Sequence, residues 1–218
     1  MPKITSVEAQ KKNPHRFNIF LDGQFAFGAD EDLVVEYRLI SGKIIDQSLI
    51  EKLLFEAEIG KLMERVYVFF NKRARSEKEI KDYLKNLSFK RKIKKQEEIS
   101  EAVVNLVIEK LKQKRLLNDK EFAKVWIEAR SKKKGVQVIK SELYKKGIDR
   151  EIIEEVINSQ SSVIKQAEVA EQLVNKRLSR WQNLAYQESK KKAYEFLLRR
   201  GFDYEITKGV VENLLKKR

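Results

Sequence analysis

A ten-residue phrase occurs twice in the second half of the chain. Leu143-Tyr-Lys-Lys-Gly147-Ile148-Asp149-Arg-Glu151-Ile152 is matched by Leu197-Leu-Arg-Arg-Gly201-Phe202-Asp203-Tyr-Glu205-Ile206, with identical spacing. Each copy closes a basic amphipathic helix at a glycine and restarts at an aspartate suited to cap the next helix. Gly147 and Gly201 are therefore expected to take positive φ. Repeats of this kind build arrays in which neighbouring units bury each other's apolar faces. The expected product is a scaffold that reads a partner by surface rather than a pocket that performs chemistry.

The helical period runs from about Gln47 onward. Leu62, Val66 and Phe69 share one face, Ser76 to Glu79 forms a capping box ahead of Ile80 and Leu84, and Ile99, Val103 and Leu106 supply a further stripe. Asn118 or Asp119 caps a helix carrying Phe122, Trp126 and Ala129. Residues 136–146 form another, and Asp149 opens one with Ile152, Ile153 and Val156 inward. The last three helices are expected at about 163–179, 182–200 and 203–217. These nine helices fall into three groups of three. Laid over the second group, the first places Leu84 on Leu143 and Ser88 on Gly147. It then carries a basic insertion, Lys90-Arg91-Lys92-Ile93-Lys94-Lys95, read as a solvated loop or a phosphate clamp ordered on binding.

Residues 1 to about 45 read differently. Ile4 to Ala9 suits a strand, and His15 to Leu21 and Gln24 to Gly28 flank Asp22-Gly23, a tight hairpin turn. Phe17, Ile19 and Leu21 alternate with polar neighbours. Asp30-Glu31-Asp32 precede a short helix over Leu33 to Tyr37, whose positive end they complement. The expected fold is mainly α: three tandem three-helix repeats in an elongated, curved array, with a small N-terminal module containing a β-hairpin. The divisions are 1–46, 47–115, 116–161 and 162–218.

Charge is uneven. The 218 residues hold 47 basic and 33 acidic side chains, a net of +14, yet residues 1–55 hold 7 basic and 8 acidic, so the remainder carries +15. Such a region attracts polyanions, nucleic acid first. No cysteine is present, and no apolar run approaches membrane-spanning length. The expected setting is cytoplasmic, with no membrane partner.

Catalysis finds little support. His15 is the only histidine and reads as a turn residue; no histidine triad, histidine metal cluster or Walker-type loop is available. Glu154 and Glu155 are consecutive on a helix and point different ways. No catalytic residue, cofactor or metal is expected. Trp126 reads as core, and Trp181 as packed between repeats.

Four stretches, taken in order, resemble the RecX regulators of the RecA recombinase. They are Arg75-Ser76-Glu77-Lys78-Glu79-Ile80 with Leu84, then Leu116-Leu117-Asn118-Asp119-Lys120-Glu121-Phe122-Ala123 followed by Trp126 and Arg130, and the two glycine phrases. Ile4 to Gly28 is similar to the N-terminal extension of a longer-chain branch of that family. This chain departs from the family pattern at Asn118, which replaces an acidic residue, and in the first repeat at Ser88 and the insertion. The resemblance implies a non-catalytic regulator that binds the RecA–DNA filament across neighbouring protomers. It would inhibit recombination, ATP hydrolysis and co-protease activity; some members also bind DNA directly. A monomer is expected, since nothing resembles a dimer seam.

Candidate contacts follow from charge. Arg73 and Arg75 stand at the same point of repeat one as Lys132, Lys133 and Lys134 of repeat two. They read either as cations complementing a helix C-terminus or as paired knuckles facing DNA phosphates or acidic residues of RecA. Arg130 joins them, as do Lys90, Arg91, Lys92, Lys94 and Lys95. Lys190 to Lys192 and Arg199-Arg200 read as solvated helix faces. The competing class is a basic helical scaffold that binds nucleic acid without RecA.

Overall fold

The structure, a computed structural model, describes residues 1–160, 165–181 and 183–216. It is mainly helical, with a small three-stranded antiparallel sheet at the N-terminus. The chain packs as two compact units, Met1–Ala74 with Leu84–Lys114, and Arg75–Tyr83 with Arg115–Arg218.

In the first unit, strands β1 (Ile4–Gln10), β2 (Asn13–Leu21) and β3 (Gln24–Asp30) form a meander in the order β1-β2-β3. Asp22 (φ 48°) and Gly23 (φ 83°) both take the left-handed conformation of the expected hairpin turn. Ile19 is fully buried, while Phe17 and Leu21 pack at the edge of the same core. His15 lies on β2 rather than in a turn, because the strand begins two residues before it. Helix α1 (Glu31–Glu36) is capped by Asp30, whose Oδ1 accepts from the Leu33 amide at 2.9 Å. Helix α2 (Gln47–Phe70) is capped by Asp46 in the same way and closes the sheet core with Leu53 and Ala57.

Helix α3 (Glu77–Ile93) begins with the expected capping box. The Glu79 amide donates to Ser76 Oγ at 3.3 Å, and the Ser76 amide to Glu79 Oε2 at 3.4 Å. Helix α4 (Glu101–Gln113) buries Val103, Val104, Val107, Ile108 and Leu111. Of the expected stripe Val103 is buried, whereas Leu106 is 38% exposed with Val107 inward in its place, and Ile99 precedes the cap at Ser100.

The basic insertion is not a loop. Lys90, Arg91 and Lys92 form the last turn of α3, and Lys95 (φ 55°) ends it: Gln96 N–H bonds to Arg91 O and Lys95 N–H to Lys92 O. That is a Schellman closure, reached two helical turns later than the Ser88 position. Ser88 instead accepts the Ile99 amide at 2.9 Å, tying the returning chain to the helix.

The second unit contains α5 (Asp119–Ser131), α6 (Val136–Lys145), α7 (Arg150–Ser159), α8 (Gln166–Trp181), α9 (Tyr186–Arg199) and α10 (Tyr204–Lys216). The described residues thus hold ten helices: the nine expected and the short α1. Of the sequence expectations, the division at 161–162, the helix starts near 163 and 182, and residue 217 lie outside the described residues. Asn118 is the cap of α5, accepting from the amides of Lys120 and Glu121. Phe122, Ile127, Ile139, Leu143, Ile148, Ile153 and Val156 make one three-helix core; Val174, Trp181, Phe196, Leu197, Phe202, Val210 and Val211 make the next. Ala129 is exposed, its place taken by Ser131. Trp181 belongs to the core of its own triplet rather than lying between triplets.

The repeated phrase is the signature of a helix ending. Ile148 N–H bonds to Leu143 O and Gly147 N–H to Tyr144 O; Phe202 N–H bonds to Leu197 O and Gly201 N–H to Leu198 O. Both are Schellman motifs with glycine in the left-handed position (φ 78° and 85°) and buried apolar residues at the paired sites. Neither aspartate caps as expected. Asp149 holds the N-cap of α7 without a side-chain bond, and Asp203 accepts from Gln137 Nε2 at 3.0 Å.

Each glycine turn also docks on the start of an earlier helix. Lys146 O accepts from Ser76 Oγ (2.7 Å), Arg200 O accepts the Gly135 amide (2.9 Å), and Gly201 O the Gln137 amide (3.1 Å). Lys146 and Arg200 hold the same place in the phrase. Carbonyls left over at one helix end thus satisfy donors left over at the start of another. A Cβ at Gly135 would stand 2.1 Å from the Gly201 carbonyl, so bare backbone is needed there. In α9 the counterpart of Gly135 is Ser189, a buried residue one turn inside the helix, whose Oγ donates to Trp181 O.

Gly135→Ala should therefore lower stability by about 2–3 kcal/mol, because the overlap is with backbone. Gly209→Ala, on α10 with open space around it, should raise stability by about 0.5–1 kcal/mol. Urea midpoints of the two variants measured side by side check both signs.

Candidate partner and anion interface

The candidate cations sit at helix ends, because a helix C-terminus is where the backbone leaves uncompensated carbonyls. Arg73 and Arg75 lie between α2 and α3. Arg73 is exposed and donates to Ala74 O at 2.9 Å, and Arg75 is half-buried. Lys90, Lys92, Lys94 and Lys95 are exposed around the end of α3, with Lys92 facing Glu98 at 2.9 Å. Arg91 is turned inward and meets Glu58 of α2 at 2.5 Å, its side chain 15% exposed. It lines an open groove of about 860 Å³ with Phe25, Phe55 and Glu58.

Phe89 and Ile93, four residues apart, are 61% and 67% exposed in the midst of these lysines. Charge reasoning passed over them; an apolar pair at helical spacing inside a basic run is the signal that marks them. A surface mixing apolar side chains with cations suits a protein contact more than a purely ionic one.

At the α5–α6 junction the cations divide. Lys132 and Lys133 are exposed, whereas Arg130 and Lys134 converge on Glu142. Glu142 also accepts from Trp126 Nε1 at 2.9 Å. The Trp126 ring lies on Phe122 with centroids 5.6 Å apart and carries Arg130 (4.6 Å) and Lys146 (5.1 Å) over it, and Lys146 in turn pairs with Glu79. Trp126 is thus enclosed by its own protein. Burial pushes the Glu142 carboxyl up, but the hydrogen bonds from Lys134 and Trp126 and the charges of Lys134 and Arg130 outweigh it, leaving a net depression.

Titratable groups elsewhere are dispersed. Glu154 pairs with Lys140 and Glu155 with Lys120 on separate sides of α7, and His15 faces Glu31 at 3.2 Å on an exposed surface. Among the described residues no three His, Asp or Glu side chains are grouped to hold a metal, and no helix is long and apolar enough to cross a membrane.

Three stretches match family models: residues 2–46 the regulatory protein RecX N-terminal domain, 118–157 the second three-helix domain of RecX, and 165–211 the third. The regulatory protein RecX of Bacillus velezensis is 36% identical over 97% of this chain and 77% of its own length; that of Bacillus subtilis is 35% identical over 98% and 78%. The chain belongs to the RecX family. A crystal structure of regulatory protein RecX covers all of both chains with a TM-score of 0.74 at 25% identity. RecX from Lactobacillus salivarius covers 72% of this chain and 96% of its own, with a TM-score of 0.61 at 28% identity. The RecX second three-helix domain corresponds to α5–α7, so the Trp126–Glu142 cluster lies within it, and the third spans α8 to most of α10.

A depressed folded-state carboxyl stabilises above its unfolded value and loses that contribution as pH falls through the folded one. Stability should therefore drop as pH is lowered below about 4.5, the ordinary value for this group. Glu142→Gln should cost about 1 kcal/mol at pH 7 and flatten that acid limb, read from urea unfolding followed by tryptophan fluorescence at pH 3 to 7.

Proposed function

We propose that this chain is a non-catalytic regulator that binds the RecA–DNA filament and inhibits RecA recombinase, ATPase and co-protease activities, acting as a cytoplasmic monomer in recombination and DNA repair. The observation that carries this reading is kinship with proteins named regulatory protein RecX over 97% of the chain. In this reading residues 1–46 form an accessory module and 47–115, 116–161 and 162–218 are the three repeats that meet successive protomers. Arg73, Arg75, Lys90, Lys92, Lys94, Lys95, Lys132 and Lys133 contact the filament. Arg91, Arg130 and Lys134, whose charges Glu58 and Glu142 offset, hold the contacting segments in place. The chemistry of nucleotide hydrolysis then belongs wholly to the partner.

The excess of +15 on residues 56–218 favours a second reading, a scaffold that coats nucleic acid without RecA. Stoichiometry separates the two. A regulator suppresses ATP hydrolysis by RecA on single-stranded DNA at substoichiometric amounts. Inhibition only at saturating protein, abolished by excess DNA, would sink the regulatory reading. Replacing Arg73, Arg75, Lys132 and Lys133 together by Ala should weaken filament co-sedimentation at least tenfold with helicity unchanged. Unaltered sedimentation across a salt titration would leave those residues as helix-end cations alone.

A further inference from the structure

Most buried or half-buried cations among the described residues come with carboxylates, although Lys43 donates to Tyr37 O instead. Arg16 faces Glu64, Arg91 Glu58, Lys134 Glu142, Lys140 Glu154, Lys146 Glu79 and Lys190 Glu212. That pattern is what desolvation demands, since a partly buried charge without a counter-charge raises the free energy of the fold. Arg177 and Arg200 break it. Both are half-buried, and both guanidinium groups lie on the ring of Phe196, at 4.4 and 4.8 Å from its centroid. Neither has a carboxylate in ion-pair contact among the described residues. Two like charges are thus gathered on one aromatic ring, with no carboxylate paired to either among the described residues.

The joint between triplets adds to this. Arg200 Nη1 donates to Lys133 O at 2.8 Å, while Arg200 O accepts the Gly135 amide. The α5–α6 turn is therefore pinned to the end of α9, which brings the backbone of Lys133 against Arg200; Lys132 and Lys133 are exposed and have no ion pair among the described residues. A helix-dipole account serves Arg200, which caps α9, but not Arg177, which lies in the interior of α8.

We propose that Lys132, Lys133, Arg177 and Arg200 form a binding site for the phosphodiester backbone of nucleic acid, built across the joint of the second and third triplets. Stacking on Phe196 fixes the guanidinium planes, and a planar fork fits phosphate oxygens in bidentate fashion. Phe196 is 4% exposed beneath them and offers no surface to a base, so the site reads charge and not sequence. The site needs no RecA, and its test contains none, so it can fail while the regulatory reading stands.

The test is fluorescence anisotropy of labelled thirty-nucleotide oligothymidine and of a thirty-base-pair duplex with the full chain. Lys132→Gln, Lys133→Gln and Arg177→Gln are combined, leaving Arg200 and its joint intact, with circular dichroism to verify the fold. Affinity for the single strand should fall at least tenfold. The slope of log K against log salt should shrink by about 2, at roughly 0.7 per phosphate contact. The duplex should lose affinity as well, and Arg177→Lys alone, with its charge kept and its fork lost, should fall between. A control removes three charges already paired at the surface, Lys81→Gln, Lys124→Gln and Lys192→Gln, and should stay within twofold. An equal loss in the control would reduce the site to diffuse charge and overturn the proposal. Unchanged oligonucleotide affinity with weaker RecA-filament co-sedimentation would overturn it too, giving the patch to an acidic protein surface.

Discussion

Two backbone hydrogen bonds, from Gly135 N–H to Arg200 O and from Gln137 N–H to Gly201 O, set how the second unit is assembled. They join the unused carbonyls of one helix end to the unused amides of another's start. The approach requires glycine on both sides: Gly201 to hold the left-handed turn, Gly135 to let that turn come within contact. A related junction joins Lys146 O to Ser76, where a hydroxyl replaces the amide. The apolar cores of the two triplets fill independently of each other; the turns decide where one triplet sits against the next.

The same turns distribute the charge. A Schellman ending leaves room for cations in the last helical turn, and this chain fills that room with Lys145 and Lys146, Arg199 and Arg200, and Lys90 to Lys95. Their fates differ according to what each end meets. Lys146 comes under Trp126 and pairs with Glu79, becoming structural. Arg200 meets an aromatic ring and a carbonyl but, among the described residues, no carboxylate. Equivalent sequence positions thus yield one neutralised and one uncompensated cation.

Much of this was legible in the sequence. Helix spans, the hairpin turn and the glycine endings follow from periodicity and from residues with few conformational options, such as Asp22-Gly23, Gly147 and Gly201. What stayed hidden depends on partners distant in sequence. Nothing local says that Asp203 serves Gln137 rather than its own helix, or that Leu106 and Ala129 face solvent while Val107 and Ser131 face inward. A run of like charges reads as a loop, whereas here it carries the helix on so that its closing residue falls at Lys95, seven positions or two turns after Ser88, and the helix face stays in register. At the candidate interface the cations were visible, but not that Arg91, Arg130 and Lys134 turn onto carboxylates of their own protein. The acids concerned, Glu58 and Glu142, looked unremarkable in the sequence.

Ser189 keeps the start of α9 from repeating the joint made at the start of α6. It occupies in α9 the place that Gly135 occupies in α6, and there the helix already extends a turn beyond it, with its hydroxyl spent on Trp181. A glycine turn arriving there would meet a side chain and a completed helical turn in place of the amides that Gly135 and Gln137 offer. One helix start of the second unit thus receives a glycine turn through its backbone, while another is closed by its own side chain.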